Sequence, residues 1–313
     1  MISVRLPATS ANLGPGFDSM GLALDLWNTF DLNLLGEPGT VTVRTEGEGA
    51  DWLPSDRTNL VAQTMIEETW PGTMPTDLGI EIVCRNCIPA ASGMGSSSTA
   101  TLAGLIFASA LAARANNPSQ VLPAVKDPLN LERVLARAVK LEGHGDNVAP
   151  ALLGGLILVA SNGSPITKSV SFTPMEVVIC VPDFRFLTAE ARAALPGEYS
   201  KADTIHNIGH SLLVLEALRT GNLGLLGRAM GDRIHEPFRM PLIPGAIQAR
   251  QAAHEAGAVA ACLSGAGPGM IAFADRAHEQ IGLAMQRAFA DSGLTARHWT
   301  LKTSEQGAKI GSD

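Results

Sequence analysis

The segment PAASGMGSSSTA at residues 89–100 constrains the fold of this chain more than any other stretch. Residues 80–87 before it have the character of a strand, and the small and apolar residues 97–114 that overlap its end are typical of a buried helix. A glycine turn at the start of a helix offers free backbone amides and the positive end of the helix dipole to an anion. The segment therefore predicts a phosphate site, with an ordinary helix cap at Ser96 as the alternative.

The two commonest phosphate loops do not fit this segment. A P-loop needs a lysine after its second glycine, and no lysine occurs between Arg85 and Arg114. The dinucleotide pattern fails because Ser98 stands where its last glycine belongs. A second glycine loop, SGAGPG at 264–269, leaves only about 45 residues after it, too few for half of a dinucleotide fold. An oxidoreductase is therefore disfavoured.

Composition limits the kind of partner. The chain has 313 residues, of which 46% are hydrophobic and 17% charged, and its net charge is −7. These values favour a globular protein that binds a small molecule, with neither a nucleic-acid surface nor a polybasic membrane patch. Without a signal-peptide pattern at the start, we expect a cytoplasmic protein. The apolar runs 98–113 and 148–160 are shorter than a membrane span and predict buried core.

Cysteine spacing gives a weak signal. Cys84 and Cys87 form a C-x-x-C pair at the end of a predicted strand. A zinc site needs a second pair or nearby histidines, and a redox pair belongs in the first turn of a helix. The spacing therefore favours structural cysteines over a metal or redox site.

Patterning predicts an α+β protein of two lobes, residues 1–165 and 166–313. Period-two segments before residue 45 favour antiparallel strands, and later helices alternate with strands. One helix is expected over residues 222–233. The turn cluster SNGSP at 161–165 marks the predicted boundary.

Three loops taken together are much more specific than any one of them. PATSANLGPGFDSMGLAL at 7–24, the segment at 89–100 and LSGAGPG at 263–269 resemble, in order and spacing, the three motifs of the GHMP kinases. EGHGDNVAPALLGG at 142–155 and DRIHEPFRMPLIPG at 232–245 are similar to stretches of the homoserine kinase branch, as is TAEARAALP after Leu187. The resemblance covers most of the chain.

The resemblance implies a fold and a reaction. The N-terminal lobe would be a ribosomal-protein-S5-like lobe with a left-handed β-α-β unit, and the C-terminal lobe would be ferredoxin-like. ATP with Mg²⁺ would bind between the lobes and phosphorylate the hydroxyl of L-homoserine, on the route to threonine. Relatives are often dimers, so a homodimer is expected.

The resemblance also implies residue roles. Arg192 and Arg239 would bind the carboxylate of the acceptor, Asp18 its ammonium group and Asn12 its hydroxyl end, while His144 would line the same pocket. Each has a simpler alternative as a turn residue, a cap or a surface ion pair. The nucleotide would be held by the glycine-rich segment: Pro89, Ala90, Ala91, Ser92, Gly93, Met94, Gly95, Ser96, Ser97, Ser98 and Thr99.

Catalysis is expected to proceed without a dedicated base. Asn147 stands where related kinases place a catalytic aspartate, and an amide cannot accept a proton as a base. Phosphoryl transfer needs little early proton abstraction, so positioning and charge stabilisation can supply most of the acceleration. Asn12 and Asn147 are the expected catalytic residues, and Asp146 is the acid that challenges this hypothesis.

Ser97 and Glu142 are the candidate magnesium ligands, with Glu132 as a substitute for the carboxylate. Three residues depart from the family pattern, and one of them, Met94 in place of the usual leucine, nearly conserves volume. Gly145 is expected to leave its loop more flexible, and Gly269 replaces a usual hydroxyl residue near the phosphates.

Two other functions compete. A kinase for mevalonate or a sugar is disfavoured because it would carry an acid at Asn147. A catalytically silent nucleotide-binding protein would have no physical reason to keep the polar set together. Coupled assays distinguish all three.

Overall fold

The computed structural model describes residues 1–34, 37–116, 128–161 and 163–312. Within them, seven strands form the first β-sheet, in the order β11-β1-β2-β4-β3, with β5 paired to β2 and β6 paired to β5. The one parallel pair within this described sheet is β3 with β4, which α1 connects. The strands are β1 (Ile2–Ala11), β2 (Met20–Asn33), β3 (Val41–Gly47), β4 (Ile80–Asn86), β5 (Leu156–Ala160), β6 (Ile166–Val170) and β11 (Lys309–Ser312).

The second sheet is antiparallel and has the order β10-β7-β9-β8. Its strands are β7 (Glu176–Pro182), β8 (Ala260–Leu263), β9 (Met270–Phe273) and β10 (Ala296–Lys302). With two sheets and several packed helices, the predicted α+β class is confirmed.

Ten α-helices lie in the described part of the chain. Four belong to its first half: α1 (Leu60–Thr69), α2 (Ser96–Asn116), α3 (Pro128–Glu142) and α4 (Val148–Leu153). Six follow: α5 (Thr188–Ala193), α6 (Lys201–Thr220), α7 (Leu223–Ala229), α8 (Glu236–Arg239), α9 (Ala246–Glu255) and α10 (His278–Asp291).

Helix α2 lies in the core of the first lobe. Leu102, Ile106 and Phe107 are completely buried, which is expected for a helix that is apolar on all sides. The window Ser96–Ala113 is long and apolar enough to cross a membrane, but 72% of it is buried inside the protein. The sequence predicted a core helix because the apolar run was judged too short to span a membrane. The structure supports the same assignment for a different reason, which is that most of the helix is buried inside the protein.

Strand pairing crosses the boundary predicted at residue 165. Strand β6 forms an antiparallel hairpin with β5 and so extends the first sheet to Val170. Strand β11, near the end of the described chain, returns to pair with β1. The division of the chain at residue 165 stays a prediction, and these pairings show that the chain passes between the sheets more than once.

Candidate active site

A cavity of about 610 Å³ lies between segments of the two sheets. The loop after β1, the start of α2, the end of α3 and the segments before α5 and after β8 all contribute to its wall. Most of the predicted site residues line it: Asn12, Asp18, Ser97, Glu142, His144, Asn147, Arg192 and Arg239, with the loop residues Ala90, Ala91, Ser92, Gly93, Gly95, Ser96 and Ser98.

Three residues of the predicted nucleotide loop do not line this cavity. Met94 is completely buried in the hydrophobic core, and its amide donates to the Ser92 hydroxyl at 3.3 Å. Thr99 is also buried and donates to the Ser96 carbonyl oxygen at 2.7 Å. Pro89 lines a neighbouring cavity instead. The contiguous motif therefore includes residues that pack against the protein as well as residues that face the cavity.

Glycine allows the loop to pack against two other motifs. Gly93 and Gly95 have φ values of +79° and +73°, which non-glycine residues rarely adopt. A Cβ at Gly95 would clash with the Thr9 hydroxyl, and a Cβ at Gly93 would clash with the Ser264 carbonyl oxygen. The three glycine-rich segments recognised in the sequence are therefore in direct contact.

Two of the three departures from the family pattern, at Gly145 and Gly269, have steric explanations. A Cβ at Gly269 would clash with the Ser92 carbonyl oxygen, so the loop has no room for a hydroxyl side chain there. A Cβ at Gly145 would press on Val159 and Ser161. Gly145 is thus required by close packing, which replaces the expectation of a more flexible loop.

The start of α2 is suited to an anion. The amides of Gly95, Ser96, Ser97 and Ser98 donate to no other group in the described part of the chain. They point from the first turn of the helix, where its dipole is positive. Ser96 has free donors beside a cavity and is more than a cap, which favours the phosphate-site hypothesis.

Three hydroxyls converge on one carboxylate beside this turn. The Ser97 hydroxyl donates to Glu142 Oε1 at 3.0 Å, and the Ser98 hydroxyl donates to Oε2 at 3.3 Å. Thr101, which the sequence did not single out, donates to Oε1 at 2.6 Å. Glu132, the alternative carboxylate, is exposed and does not line the cavity. The geometry thus brings Ser97 and Glu142 together as an oxygen pair suited to Mg²⁺.

The loop after β1 is held by its own polar side chains. Asn12 Nδ2 donates to the Gly265 carbonyl oxygen at 2.7 Å, and Asn12 Oδ1 accepts from the Asp18 amide at 3.0 Å. Both residues have positive φ, 68° for Asn12 and 55° for Asp18. Because a carboxamide can make further hydrogen bonds, Asn12 still has capacity for a ligand in addition to this positioning role.

Arg192 and Asp18 form a bidentate ion pair. Arg192 Nη1 and Nη2 donate to the two Asp18 carboxylate oxygens at 2.9 and 2.8 Å. These residues are 174 positions apart in the sequence, so the cavity wall depends on tertiary packing. The sequence assigned opposite ends of one acceptor to these two residues, and the structure places them side by side.

Arg239 is the most completely buried cation of the site, with 2% of its surface exposed. Its Nε donates to the Ala191 carbonyl oxygen at 3.1 Å, and its guanidinium lies 5.1 Å from the centre of the Phe17 ring. Burial and the nearby Arg192 lower the pKa of Arg239. Two adjacent cations with unused donors favour an anionic group between them.

A buried network around α8 supports Arg239, and the sequence did not predict it. His235 donates through Nε2 to the Gly14 carbonyl oxygen at 2.9 Å, and its Nδ1 faces Arg239 Nη1 at 3.4 Å. Burial lowers the pKa of His235, which keeps it neutral and able to accept from the arginine. Glu236 accepts from the Leu263 amide at 2.6 Å. The one sequence feature that could have indicated this network is that the polar residues His235 and Glu236 closely precede the candidate arginine, Arg239.

His144 and Asp146 are paired in the cavity wall. His144 Nδ1 donates to Asp146 Oδ1 at 2.8 Å, and both residues are buried. Burial acts to lower the pKa of His144, but the hydrogen bond and charge of Asp146 outweigh it and raise the pKa. Asn147 Oδ1 accepts from the Thr9 hydroxyl at 2.7 Å. Asn147 thus links the first motif to the start of α4.

Comparison with known proteins gives one consistent family. The GHMP kinases N terminal domain matches residues 59–155, and the GHMP kinases C terminal domain matches residues 214–291. Homoserine kinase from Nostoc punctiforme is 39% identical over 313 residues, covering 98% of this chain and 97% of that protein. Homoserine kinase from Prochlorococcus marinus (strain MIT 9303) is 38% identical over 301 residues, covering 95% and 91%.

Solved structures agree. The homoserine kinase of Cytophaga hutchinsonii has a TM-score of 0.81 and 28% identity, covering 99% of this chain and 97% of that one. The mevalonate kinase of L. major, solved in complex with R-mevalonate, has a TM-score of 0.70 at 18% identity. The match covers 97% of this chain and 96% of that one, which shows the shared fold. The two-lobed GHMP kinase fold is confirmed, and the chain belongs to the homoserine kinase family of the GHMP kinases.

Proposed function

We propose that this small-molecule kinase transfers the γ-phosphoryl group of ATP to the side-chain hydroxyl of L-homoserine, which yields O-phospho-L-homoserine for threonine synthesis. Family membership supports the reaction class. The single observation that carries the choice of acceptor is the cluster of Asp18, Arg192 and Arg239 at one end of a cavity whose other end is suited to phosphates.

The acceptor end matches a zwitterion with a hydroxyl. Arg192 and Arg239 offer guanidinium donors to a carboxylate, and Asp18 offers acceptors to an ammonium group. A neutral sugar would leave the buried charge of Arg239 without an anionic partner. A carboxylate without an amine would leave Asp18 with only the cation to which it is already paired, Arg192. His144 and Asn12 border the same space and are proposed to contact the hydroxyl end.

The nucleotide end has residues that fit a magnesium nucleotide. The free amides of Gly95 to Ser98 would take phosphate oxygens, and Ser97 with Glu142 would hold Mg²⁺. When bound, Mg²⁺ supplies charge neutralisation for the transferring phosphoryl group. The residues of the chain supply position and exclude alternative orientations of the phosphates.

No side-chain base is proposed. The side chain of Asn147 is a carboxamide, which cannot act as a base, and it accepts a hydrogen bond from the Thr9 hydroxyl. One carboxylate oxygen of Asp146 accepts a hydrogen bond from His144. The proposed role of Asn147 and Asn12 is to fix the walls between which the hydroxyl and the phosphoryl group meet. Positioning and electrostatic stabilisation then carry the acceleration.

Asp146→Asn tests this mechanism. Because a general base contributes about a hundredfold or more to rate, its loss would lower kcat by at least that factor. Without a base, we expect a loss of about tenfold or less, from the changed hydrogen bond to His144. Asp51→Asn, an exposed carboxylate outside the cavity, is the control. Near-complete loss of turnover in a folded Asp146→Asn protein would show that Asp146 is the base.

Acceptor choice is tested by coupled assays of ADP formation with L-homoserine, mevalonate and galactose. We expect turnover with homoserine. Turnover with mevalonate alone would assign the chain to a different acceptor, and absence of turnover with all three would support the catalytically silent alternative.

We further propose a homodimer that acts in the cytoplasm. Ile205, Ile208 and Leu212 lie on one face of α6 and are 58–61% exposed, which is a candidate contact surface. Light scattering after size exclusion measures the mass, and a monomer at assay concentration would contradict the dimer.

A further inference from the structure

Three arginines line the main cavity, and they differ in their partners. Arg192 is paired with Asp18, and Arg239 is buried against Ala191 and Phe17. Arg185, in the segment between β7 and α5, forms no ion pair within the described chain and has an aromatic partner instead. The guanidinium of Arg185 therefore keeps its donors available beside the cavity.

Trp52 is the aromatic partner of Arg185, and both side chains are exposed. The guanidinium carbon of Arg185 lies 5.6 Å from the centre of the Trp52 ring, within the range of a cation–π contact. The two residues come from different lobes, since Trp52 follows β3 and Arg185 follows β7. A contact of this kind orients the planar guanidinium without using its hydrogen-bond donors.

Arg185 and Trp52 stand where two cavities meet. The second cavity, of about 590 Å³, shares four lining residues with the main cavity: Trp52, Ala90, Ala91 and Arg185. Ala90 and Ala91 lie near the start of the glycine-rich nucleotide loop, directly after Pro89. Arg185 thus borders the same space as the loop from the opposite lobe, at a position outside the three glycine-rich motifs.

Within the part of the chain that the structure describes, the glycine-rich segment at the nucleotide end carries no cationic side chain. The glycine-rich loop has no lysine, and Glu142 adds a negative charge beside the start of α2. Backbone amides and a helix dipole supply only partial charges toward a triphosphate. Of the cavity arginines, Arg192 and Arg239 lie with Asp18 at the acceptor end, so Arg185 is the cation in the described wall that is free to meet this demand.

We infer that Arg185, oriented by Trp52, is a nucleotide-binding residue that contacts a phosphate of ATP or ADP from the C-terminal lobe. The inference rests on the proposed use of ATP and is independent of the identity of the acceptor. In P-loop enzymes a lysine of the loop itself supplies the positive charge to the phosphates, whereas here an arginine of the second lobe would supply it.

The test compares ligands with and without phosphates. Calorimetry would measure the binding of MgATP, MgADP and adenosine to the wild type, Arg185→Gln and Arg185→Lys. We expect Arg185→Gln to weaken ATP and ADP binding about tenfold, because a charge-assisted hydrogen bond is lost, and to change adenosine binding less than twofold. Arg185→Lys is expected to restore part of the ATP affinity, since it keeps the charge without the planar fork.

Arg297→Gln is the matched control. Arg297 lines only the second cavity and is ion-paired with Glu48 at 2.8 Å. We expect its loss to leave ATP binding unchanged within twofold.

The inference is overturned if Arg185→Gln binds ATP as the wild type does. It is also overturned if adenosine binding weakens as much as ATP binding, which would place the effect on the nucleoside through Trp52. A rise confined to the KM for homoserine would assign Arg185 to the acceptor instead. If ATP binding depends on Arg185 while homoserine is not phosphorylated, this inference stands and the proposed acceptor falls.

Discussion

The two ends of the cavity differ in the chemical groups that line them. The nucleotide end consists mainly of backbone amides and hydroxyls from one continuous segment, 92–101, with Glu142 beside it. The acceptor end consists of charged side chains from segments far apart, of which Asp18 and Arg239 are two members. Nucleotide binding therefore depends on local backbone geometry, whereas acceptor specificity depends on the tertiary packing that brings these charged side chains together.

The largest effect is expected at Arg239. Arg239→Ala removes a buried donor fork and leaves the Ala191 carbonyl oxygen and His235 Nδ1 without their partner. Losing one side of a buried charged interaction costs about 2–5 kcal/mol, so kcat/KM for homoserine should fall by about thirtyfold to several thousandfold. If the two ends are independent, the binding of ATP measured by calorimetry should change less than about threefold, a difference well under 1 kcal/mol.

Arg239→Lys controls for charge alone, because lysine keeps the cation and loses the bidentate geometry. Circular dichroism and thermal unfolding check that both variants fold. A parallel loss of ATP and homoserine binding in a folded Arg239→Ala protein would contradict the separation of the two ends.

A smaller effect, on stability, is expected at Glu236, which supports the acceptor end. Its carboxylate accepts from the Leu263 amide and lies near Arg250, and burial raises its pKa from 4.5 to about 7. The folded state therefore retains a proton that the unfolded state loses between about pH 4.5 and 7. Over this window the contribution of Glu236 to the free energy of unfolding falls as pH rises, by up to about 3 kcal/mol.

Glu236→Gln removes that titration. Urea unfolding at pH 5 and pH 8 should show the wild type losing more stability than the variant on going to the higher pH. Glu216→Gln is the control, because Glu216 is exposed and its pKa is lowered by the Arg219 hydrogen bond. Equal pH dependence in the wild type and Glu236→Gln would show that this carboxyl does not titrate with folding.

The contrast between the two ends also explains what could be predicted. The glycine-rich segment, its strand and helix α2 were predictable because local residue types encode a turn and an apolar helix. The polar residues of the acceptor end, Asn12, Asp18, Arg192 and Arg239, were predicted from the resemblance to a known family. No local sequence pattern indicates that Asp18 and Arg192, which are 174 positions apart, lie in contact. Periodicity cannot report such contacts.

The region around α8 shows why the rest was missed. A helix was predicted over residues 222–233, but α7 ends at Ala229. Asp232 accepts from the backbone amides of Ile234, His235 and Glu236, which begins α8 instead. A buried carboxylate at the start of a four-residue helix gives no periodic pattern in the sequence. The prediction, which relied on helix propensity, therefore placed the end of the preceding helix too late.

The smallest effect is expected at Thr101, the residue of the nucleotide end that sequence analysis overlooked. Its hydroxyl orients Glu142 from the second turn of α2 and would not itself need to touch a metal ion. Outer partners of a metal-binding carboxylate typically alter affinity tenfold or more, but Ser97 and Ser98 also bond Glu142. Thr101→Val should therefore raise the Mg²⁺ concentration for half-maximal activity only about threefold to tenfold, with kcat at saturating Mg²⁺ nearly unchanged.

Ser109→Ala is the matched control for this prediction, because Ser109 lies on the same helix and donates to the Leu105 carbonyl oxygen, away from the cavity. A shift in Mg²⁺ dependence for Thr101→Val and none for Ser109→Ala would support Glu142 as a metal ligand whose orientation is set by hydroxyls. If Thr101→Val instead changed the KM for homoserine at a constant Mg²⁺ dependence, Glu142 would belong to the acceptor end. The cavity could then no longer be divided into a nucleotide end of backbone amides and hydroxyls and an acceptor end of charged side chains, because Glu142 would have been assigned to the wrong end.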